Sequence, residues 1–331
     1  MCDTTCVLED TPVPEGQYHH RKDRPAVLAL VGGDARQLAA AEALIEAGYE
    51  VRIMGLGEAE DGGLTPKASQ SLPHKVRIYH RTDRLLEGCL GIILPYPASK
   101  DGKTVFCPLD TQHSIALAEI GAYVKKHPAV RLFGGRMPVS WVEELKREAC
   151  LVTEYEDSEA FLIKNARLTA EGALMTAMEL TDTSLLNAPM AVLGYGRIGK
   201  LLARLLLAVG ADVTVFARRR ESLAEAEADG CLVHAISEAH RLTEGFEVIF
   251  NTVPSVIMSR EVLTTLPCRT KIIELASSPG GLDPEGVTEA TRRCGLQVIR
   301  APALPGRYAP IDAGYAIADL IISALREEVK L

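Results

Sequence analysis

The stretch Met190-Ala-Val-Leu-Gly-Tyr-Gly-Arg-Ile-Gly199 decides the fold, because it joins an apolar strand to a helix through a glycine-rich turn. Its last six residues follow the pattern G-x-G-x-x-G, and Asp212-Val-Thr-Val-Phe216 supplies a second apolar strand. A strand, this turn, a helix and a second strand together are typical of the dinucleotide-binding unit of a Rossmann domain. The pattern predicts parallel strands at 190–193 and 212–216, joined by a helix over 197–208.

The three glycines of this motif have different physical roles. Gly194 makes the tight turn, Gly196 lets the backbone approach a pyrophosphate, and Gly199 lets the helix and the strand touch. Free amides at the helix start then meet the phosphate charge. The motif's other residues, which are Tyr195, Arg197 and Ile198, are therefore expected to belong to the cofactor site. A glycine-rich turn without a ligand is the alternative.

The end of the second strand indicates which dinucleotide is bound. An NAD site usually has Asp or Glu there, to bind the ribose hydroxyls, but this chain has Ala217, followed by Arg218, Arg219 and Arg220. The missing carboxylate removes repulsion against a 2′-phosphate, and a guanidinium can bind that phosphate with two hydrogen bonds. We therefore predict NADP, with NAD possible, and contacts from Ala217, Arg218 and Arg219. The alternative is that these arginines only solvate the next helix start.

Polar residues follow two later strands of the same domain, and ligands bind beyond the carboxyl ends of parallel strands. One loop runs from Asn251 to Ser255, and the other follows Glu274 and contains Ser277. Both loops should flank the nicotinamide. The predicted cofactor contacts in the first loop are Asn251, Thr252, Val253 and Pro254, and the predicted catalytic hydroxyls are Ser255 and Ser277.

The first half of the chain has a similar pattern. The apolar run 26–31 is followed by Gly32-Gly33-Asp34, a helical pattern over 35–47 and a strand at 50–54, and further short strands are predicted at 91–94, 130–133 and 150–152. A helix over 168–186, capped by Thr169, is predicted between the halves. The predicted fold is α/β, with two Rossmann-like or flavodoxin-like parallel-sheet domains and an interdomain cleft.

The domain boundaries follow from these patterns. We expect a flexible N-terminal extension at 1–24, an α/β domain for substrate or partner at 25–165, and the NADP-binding Rossmann domain at 166–310. A C-terminal helix within 311–331 is expected to pack back toward the N-terminal domain.

Composition excludes several classes of function. The 331 residues carry 36 Lys and Arg against 44 Asp and Glu, so the chain has a net charge of −8 and no excess of positive charge for nucleic acid. No apolar run is long enough to span a membrane, and no secretory signal is readable. The eight cysteines are scattered, which predicts reduced thiols, no metal site and a cytoplasmic location.

With these motifs in place, the chain resembles the family of dipicolinate synthase A subunits. The resemblance runs from about residue 26 to 325 and rests on motifs that are weak singly and specific in this order. They are Gly32–Arg36, Asn165 with Thr169 and Glu171-Gly172, Val192–Gly199, Asn251–Ser255, Glu274–Gly281, and Ala303–Pro310 followed by Ala313-Gly314.

The resemblance implies an NADP-linked oxidation of dihydrodipicolinate to dipicolinate during sporulation, in the mother-cell cytoplasm. It also implies a partner, the flavoprotein-like B subunit of the synthase, and such folds commonly form homo-oligomers. Two carboxylates on the substrate call for guanidinium or amide donors. Arg36 is the first candidate, Arg307 and Tyr308 could reach the cleft from the other side, and the motif residues Asn165 and Thr169 are expected to bind substrate.

Glu171 is the candidate proton acceptor, although a first-turn acid also needs no function. Two alternatives stay open. A D-2-hydroxyacid dehydrogenase relative is disfavoured, because Ser278 stands where those enzymes usually carry Arg and no His follows His240. A non-catalytic dinucleotide-binding or regulatory subunit is the other alternative.

Overall fold

The computed structural model describes residues 25–56, 77–110 and 114–327. The predicted extension at 1–24, which contains Cys2 and Cys6, lies outside the described residues. The described chain forms two parallel sheets of six strands, and helices connect the strands of each sheet. This architecture confirms the predicted α/β class.

The first sheet has the strand order β3-β2-β1-β4-β5-β6. Its strands are β1 (Val27–Val31), β2 (Glu50–Met54), β3 (Arg77–Ile78), β4 (Gly91–Ile93), β5 (Arg131–Gly134) and β6 (Leu151–Glu154). The helices between them are α1 (Ala35–Glu46), α2 (Thr82–Leu86), α3 (Leu117–Lys126) and α4 (Val139–Arg147). The central strands β1 and β4 are continuous apolar runs because helices cover both faces of the sheet.

The second sheet repeats this order as β9-β8-β7-β10-β11-β12. Its strands are β7 (Pro189–Leu193), β8 (Asp212–Ala217), β9 (Leu232–Ala235), β10 (Val248–Asn251), β11 (Lys271–Glu274) and β12 (Gln297–Arg300). The helices are α6 (Arg197–Ala208), α7 (Arg220–Ala228), α8 (Arg260–Thr265), α9 (Pro284–Cys294) and α10 (Leu304–Tyr308). This is the strand order of a Rossmann domain, and α6 has the predicted bounds.

The helix between the two sheets is longer than predicted. This helix, α5 (Glu159–Leu180), begins after the 3₁₀ helix Tyr155–Asp157, and Ser158 caps it by accepting a hydrogen bond from the Phe161 amide. The prediction that Thr169 caps the helix is therefore wrong. Buried residues upstream of Thr169, among them Phe161 and Ala166, already belong to the packed face of α5. The predicted boundary between residues 165 and 166 falls inside α5.

The last helix, α11 (Pro310–Glu327), packs on α1 of the first sheet. The crossing is close, since a Cβ on Gly314 would lie 2.4 Å from the Arg36 carbonyl oxygen and 2.6 Å from the Ala39 Cβ. The buried residues of α11 join the core on one face of the first sheet, so that α10 and α11 connect the two halves. Within the described ranges, no helix is both long enough and apolar enough to cross a membrane.

Candidate functional site

The glycine-rich turn between β7 and α6 is tightly packed at two of its three glycines. Gly194 has φ +91°, and a Cβ there would lie 2.5 Å from the Thr252 hydroxyl. A Cβ on Gly199 would lie only 2.1 Å from the Gly194 carbonyl oxygen. These positions need glycine for the protein's own packing, which agrees with their predicted roles.

Gly196 differs, because the protein itself leaves its Cβ position empty. A Cβ on Gly196 would meet no heavy atom of the described chain within 4 Å, and its φ of −88° suits any residue. Gly196 is also the N-cap of α6, and without a side chain it cannot accept a hydrogen bond from the first-turn amides. An open approach to uncapped helix amides fits a pyrophosphate.

The side chains between the motif glycines are already engaged within the protein. The Tyr195 ring is buried, and its hydroxyl donates a hydrogen bond to Asp229. Burial is the main reason that the pKa of Tyr195 is raised, and its hydrogen bond to Asp229 raises it further. Arg197 forms a bidentate ion pair with Glu159 of α5, at 2.8 and 2.6 Å. Tyr195 and Arg197 therefore offer a ligand their backbone rather than these side chains.

The end of β8 carries an unpaired cluster of positive charge. Ala217 is 3 % exposed, whereas Arg218, Arg219 and Arg220 are exposed. In the part of the chain that the structure describes, no carboxylate lies within ion-pair distance of these three guanidinium groups. The cluster therefore has the charge and the freedom that a ribose 2′-phosphate requires.

The ends of β10 and β11 are joined by a buried polar network. Glu274 is 4 % exposed and accepts hydrogen bonds from the Asn251 side chain at 2.7 Å and from the Ala276 and Gly281 amides at 3.0 Å. Asn251 is fully buried, and its side chain also bonds both the carbonyl and the amide of Val253. Asn251 therefore holds the two loops in position, and its direct contact with the cofactor stays a prediction.

The residues after these strands extend toward the surface in a short loop. Thr252 donates to the Leu193 carbonyl oxygen at 2.8 Å, which fixes the loop against the glycine turn. Val253 is half-buried, while Pro254 and Ser255 are exposed. On the neighbouring loop, half-buried Ser277 accepts a hydrogen bond from Arg136 of the first sheet's domain. The loop after β11 thereby contacts the loop after β5 of the first domain.

Arg36, the first candidate for the substrate's carboxylates, is buried in a structural ion pair. It is 2 % exposed, and both Nε and Nη2 donate to the Asp34 carboxylate at 2.8 Å. Nη2 also donates to the Tyr96 carbonyl oxygen at 2.6 Å. These bonds engage Nε and Nη2 within the protein and hold the loop after β4, and direct contact between Arg36 and a substrate stays a prediction.

The other predicted substrate residues lie on α5 and α10. Thr169 is buried and donates to the Asn165 carbonyl oxygen at 2.7 Å. Glu171 lies in the middle of α5 instead of in its first turn, and its carboxylate pairs with Arg167 at 2.9 Å. Substrate binding by Asn165 and proton transfer by Glu171 stay predictions.

The side chains of α10 point to α5. The Tyr308 hydroxyl donates to Glu179 at 2.9 Å, and the exposed Arg307 lies 3.9 Å from the same carboxylate. Their predicted contact with substrate would require both side chains to leave Glu179.

A cluster at the cleft was missed by the sequence analysis. Arg136 follows β5, its guanidinium carbon lies 5.7 Å from the centre of the Tyr96 ring, and its amide donates to Glu156 at 2.9 Å. Burial raises the pKa of both Glu156 and Tyr96, and for Tyr96 the nearby Glu156 adds to the effect. The sequence does carry a signal for this cluster, since Gly134-Gly135-Arg136 directly follows the strand predicted at 130–133.

Comparison with known proteins finds similar chains. Residues 27–155 match the family model for the N-terminal domain of the dipicolinate synthase A subunit, and residues 189–304 match the "NAD binding domain of 6-phosphogluconate dehydrogenase". The dipicolinate synthase A subunit of Bacillus subtilis (strain 168) is 29% identical over 306 residues, which are 91% of this chain and 96% of that protein. The chain is therefore similar to dipicolinate synthase A subunits over most of its length.

Solved structures from this family agree with the fold described above. The dipicolinate synthase A subunit from Bacillus halodurans has a TM-score of 0.76 at 28% identity, and the match covers 91% of this chain and 98% of that one. The A chain of the synthase from Bacillus subtilis has a TM-score of 0.75 at 27% identity, with coverage of 91% and 96%. A nicotinamide dinucleotide is therefore the cofactor class of this oxidoreductase-type family.

Proposed function

We propose that this chain is the NADP-binding subunit of a dipicolinate synthase and oxidises dihydrodipicolinate to dipicolinate. The substrate loses a hydride to NADP⁺ and a proton to a base, and becomes an aromatic pyridine dicarboxylate. The open Gly196 position at the uncapped start of α6, next to the arginines after β8, is the observation that carries the proposal. Aromatisation supplies the driving force, so the protein has mainly to align substrate and cofactor.

The cofactor supplies the hydride acceptor when it is bound, and the residues of this chain do the rest. The first-turn amides of α6 bind the pyrophosphate, and Arg218 and Arg219 bind the 2′-phosphate. The loop from Thr252 to Ser255 and the hydroxyl of Ser277 border the nicotinamide end of the cleft. Glu171 is the proton acceptor in this proposal, after release from Arg167.

Replacing Arg218 with alanine tests the choice of NADP. We expect NADPH binding to weaken by about 1.5–3 kcal/mol, the usual effect of losing a hydrogen bond to a charged group. NADH binding should stay within about twofold, because NADH lacks the 2′-phosphate. Calorimetric titration of both nucleotides measures the difference.

Arg292→Ala is the matched control, since Arg292 is an exposed arginine of the same domain on α9. It removes the same charge, so a loss of NADPH affinity from long-range electrostatics alone would appear in both variants. Equal effects of Arg218→Ala and Arg292→Ala would contradict a direct contact between Arg218 and the phosphate.

We further propose that the chain acts with a second, flavoprotein-like subunit in the cytoplasm of a sporulating cell, and that it forms a homo-oligomer. The family's name, which designates one subunit of a synthase, supports the partner. Incubating the chain with NADP⁺ and freshly generated dihydrodipicolinate, with and without the partner, should produce NADPH and dipicolinate. If the chain binds NADPH but neither mixture reacts, a non-catalytic binding role becomes the better explanation.

A further inference from the structure

We infer that Arg136 is the residue that binds a carboxylate of the substrate, where the loop after β5 meets the loop after β11. This inference rests on the proposed function, because it takes the substrate to be a small dicarboxylate. The carboxylate contact is thereby assigned to Arg136, which the sequence pattern did not single out, instead of to Arg36.

Arg136 lies where a ligand of this fold is expected. It follows Gly134, the last residue of β5, by two positions, and its guanidinium donates a hydrogen bond to Ser277, three residues beyond the end of β11. The carboxyl ends of parallel strands from both domains thus meet at one guanidinium. Ligands of open parallel sheets bind at this edge of the strands.

The charge of Arg136 is free for an anion. Arg136 is exposed, and among the described residues no carboxylate oxygen lies within 4 Å of its guanidinium nitrogens. Arg36 and Arg197, in contrast, each form a bidentate ion pair with a carboxylate. The hydroxyl of Ser277 is a neutral hydrogen-bond partner of Arg136. A substrate carboxylate can replace it and form a stronger, bidentate pair with the guanidinium.

The position of Arg136 is fixed by its neighbours before any ligand arrives. Its backbone has φ +47°, a conformation that costs free energy for a residue other than glycine, and the hydrogen bond from its amide to Glu156 holds it there. The Tyr96 ring lies beside the guanidinium, and a Cβ on Gly135 would lie 1.9 Å from that ring. Gly135 therefore allows the ring to pack, and the ring limits the motion of the guanidinium, which reduces the entropy lost on binding.

Glu156 holds this loop without neutralising the guanidinium. Only one of its carboxylate oxygens, Oε1, is bonded to Arg136, and through the backbone amide. The other, Oε2, is buried and has no hydrogen-bond partner in the described chain. Burial raises the pKa of Glu156, while its hydrogen bond from the Arg136 amide acts in the opposite direction.

The test measures binding of dipicolinate, the proposed product, to the full chain saturated with NADPH. The neutral pyridine-2,6-dicarboxamide serves as the second probe, because it has the same shape without the charge. We expect wild type to prefer the dicarboxylate, and Arg136→Gln to weaken dipicolinate binding roughly 10- to 100-fold while leaving diamide binding within about twofold. Arg136→Lys keeps the positive charge but loses the planar guanidinium, so its affinity for dipicolinate should lie between those of wild type and Arg136→Gln.

Arg147→Gln is the control, since Arg147 is an exposed arginine at the end of α4 in the same domain. It should bind both probes as wild type does, and NADPH affinity should be equal in all variants. If wild type binds dipicolinate and Arg136→Gln binds it equally well, the inference is overturned while the proposed function stands. If the NADPH-loaded wild type binds no dipicolinate, the proposed substrate is wrong and the inference is overturned with it. If Arg136→Gln also loses NADPH affinity, Arg136 has a structural role between the two domains, and the inferred contact with the substrate is overturned.

Discussion

Gly196→Ala is expected to abolish dinucleotide binding while leaving the folded protein almost as stable as wild type. The new methyl group meets no atom of the described chain within 4 Å, and the backbone angles at this position suit alanine. Alanine is a poorer N-cap than glycine, so we expect a stability loss of at most about 1 kcal/mol. The same methyl group would occupy the approach to the first-turn amides, and losing two charged hydrogen bonds there weakens binding by at least about 100-fold.

Gly199→Ala is the matched comparison, because it adds the same methyl group three residues later. Here the methyl carbon would lie 2.1 Å from the Gly194 carbonyl oxygen, so the backbone must move. We expect this variant to lose both dinucleotide affinity and about 1–3 kcal/mol of stability, or more. Calorimetry with NADPH and urea unfolding separate the two cases. If Gly196→Ala bound NADPH normally, the pyrophosphate would not approach the chain at this position, and the proposed cofactor site would be wrong.

The contrast between these glycines shows how much of the glycine-rich turn was predictable from the sequence. The order strand, G-x-G-x-x-G, helix and strand is local, and Gly199 needs glycine because of Gly194, five positions earlier, whereas Gly194 is also constrained by the distant Thr252. The bounds of α6 and the position of Ala217 at the end of β8 followed from the same local pattern. The sequence pattern was enough to locate β7 and β8, because both strands are buried on both faces and read as nearly continuous apolar runs.

The substrate half was less predictable, because it depends on contacts between distant parts of the chain. Arg36 and Arg136 each follow a strand of the first domain, and the sequence alone does not show which guanidinium is already paired. In the structure, the guanidinium of Arg36 is paired with Asp34, two residues away. Arg136 instead donates a hydrogen bond to Ser277, 141 residues further along the chain. The buried carboxylate of Glu274 was missed for the same reason, since its partners Asn251 and Gly281 are separated from it in sequence.

Arg36→Ala is expected to destabilise the protein strongly, which distinguishes it from Arg136→Gln. The Arg36 side chain is 3 % exposed and that of its partner Asp34 is 15 % exposed, so removing the guanidinium leaves a largely buried carboxylate without its cation. Loss of one partner of a buried ion pair costs about 3–5 kcal/mol. The Tyr96 carbonyl oxygen also loses its donor, and the packing of Gly306 of α10 on the guanidinium is lost.

Urea unfolding of Arg36→Ala measures this effect, and Arg81→Ala provides the control. Arg81 binds Asp83 with the same bidentate geometry and a similar sequence spacing, but both side chains are more than half exposed. An exposed ion pair is screened by solvent, so this variant should unfold close to wild type. Arg36→Ala with wild-type stability and a weakened affinity for dipicolinate would restore Arg36 as the substrate contact, and would place the substrate near the start of α1 instead of beside β5.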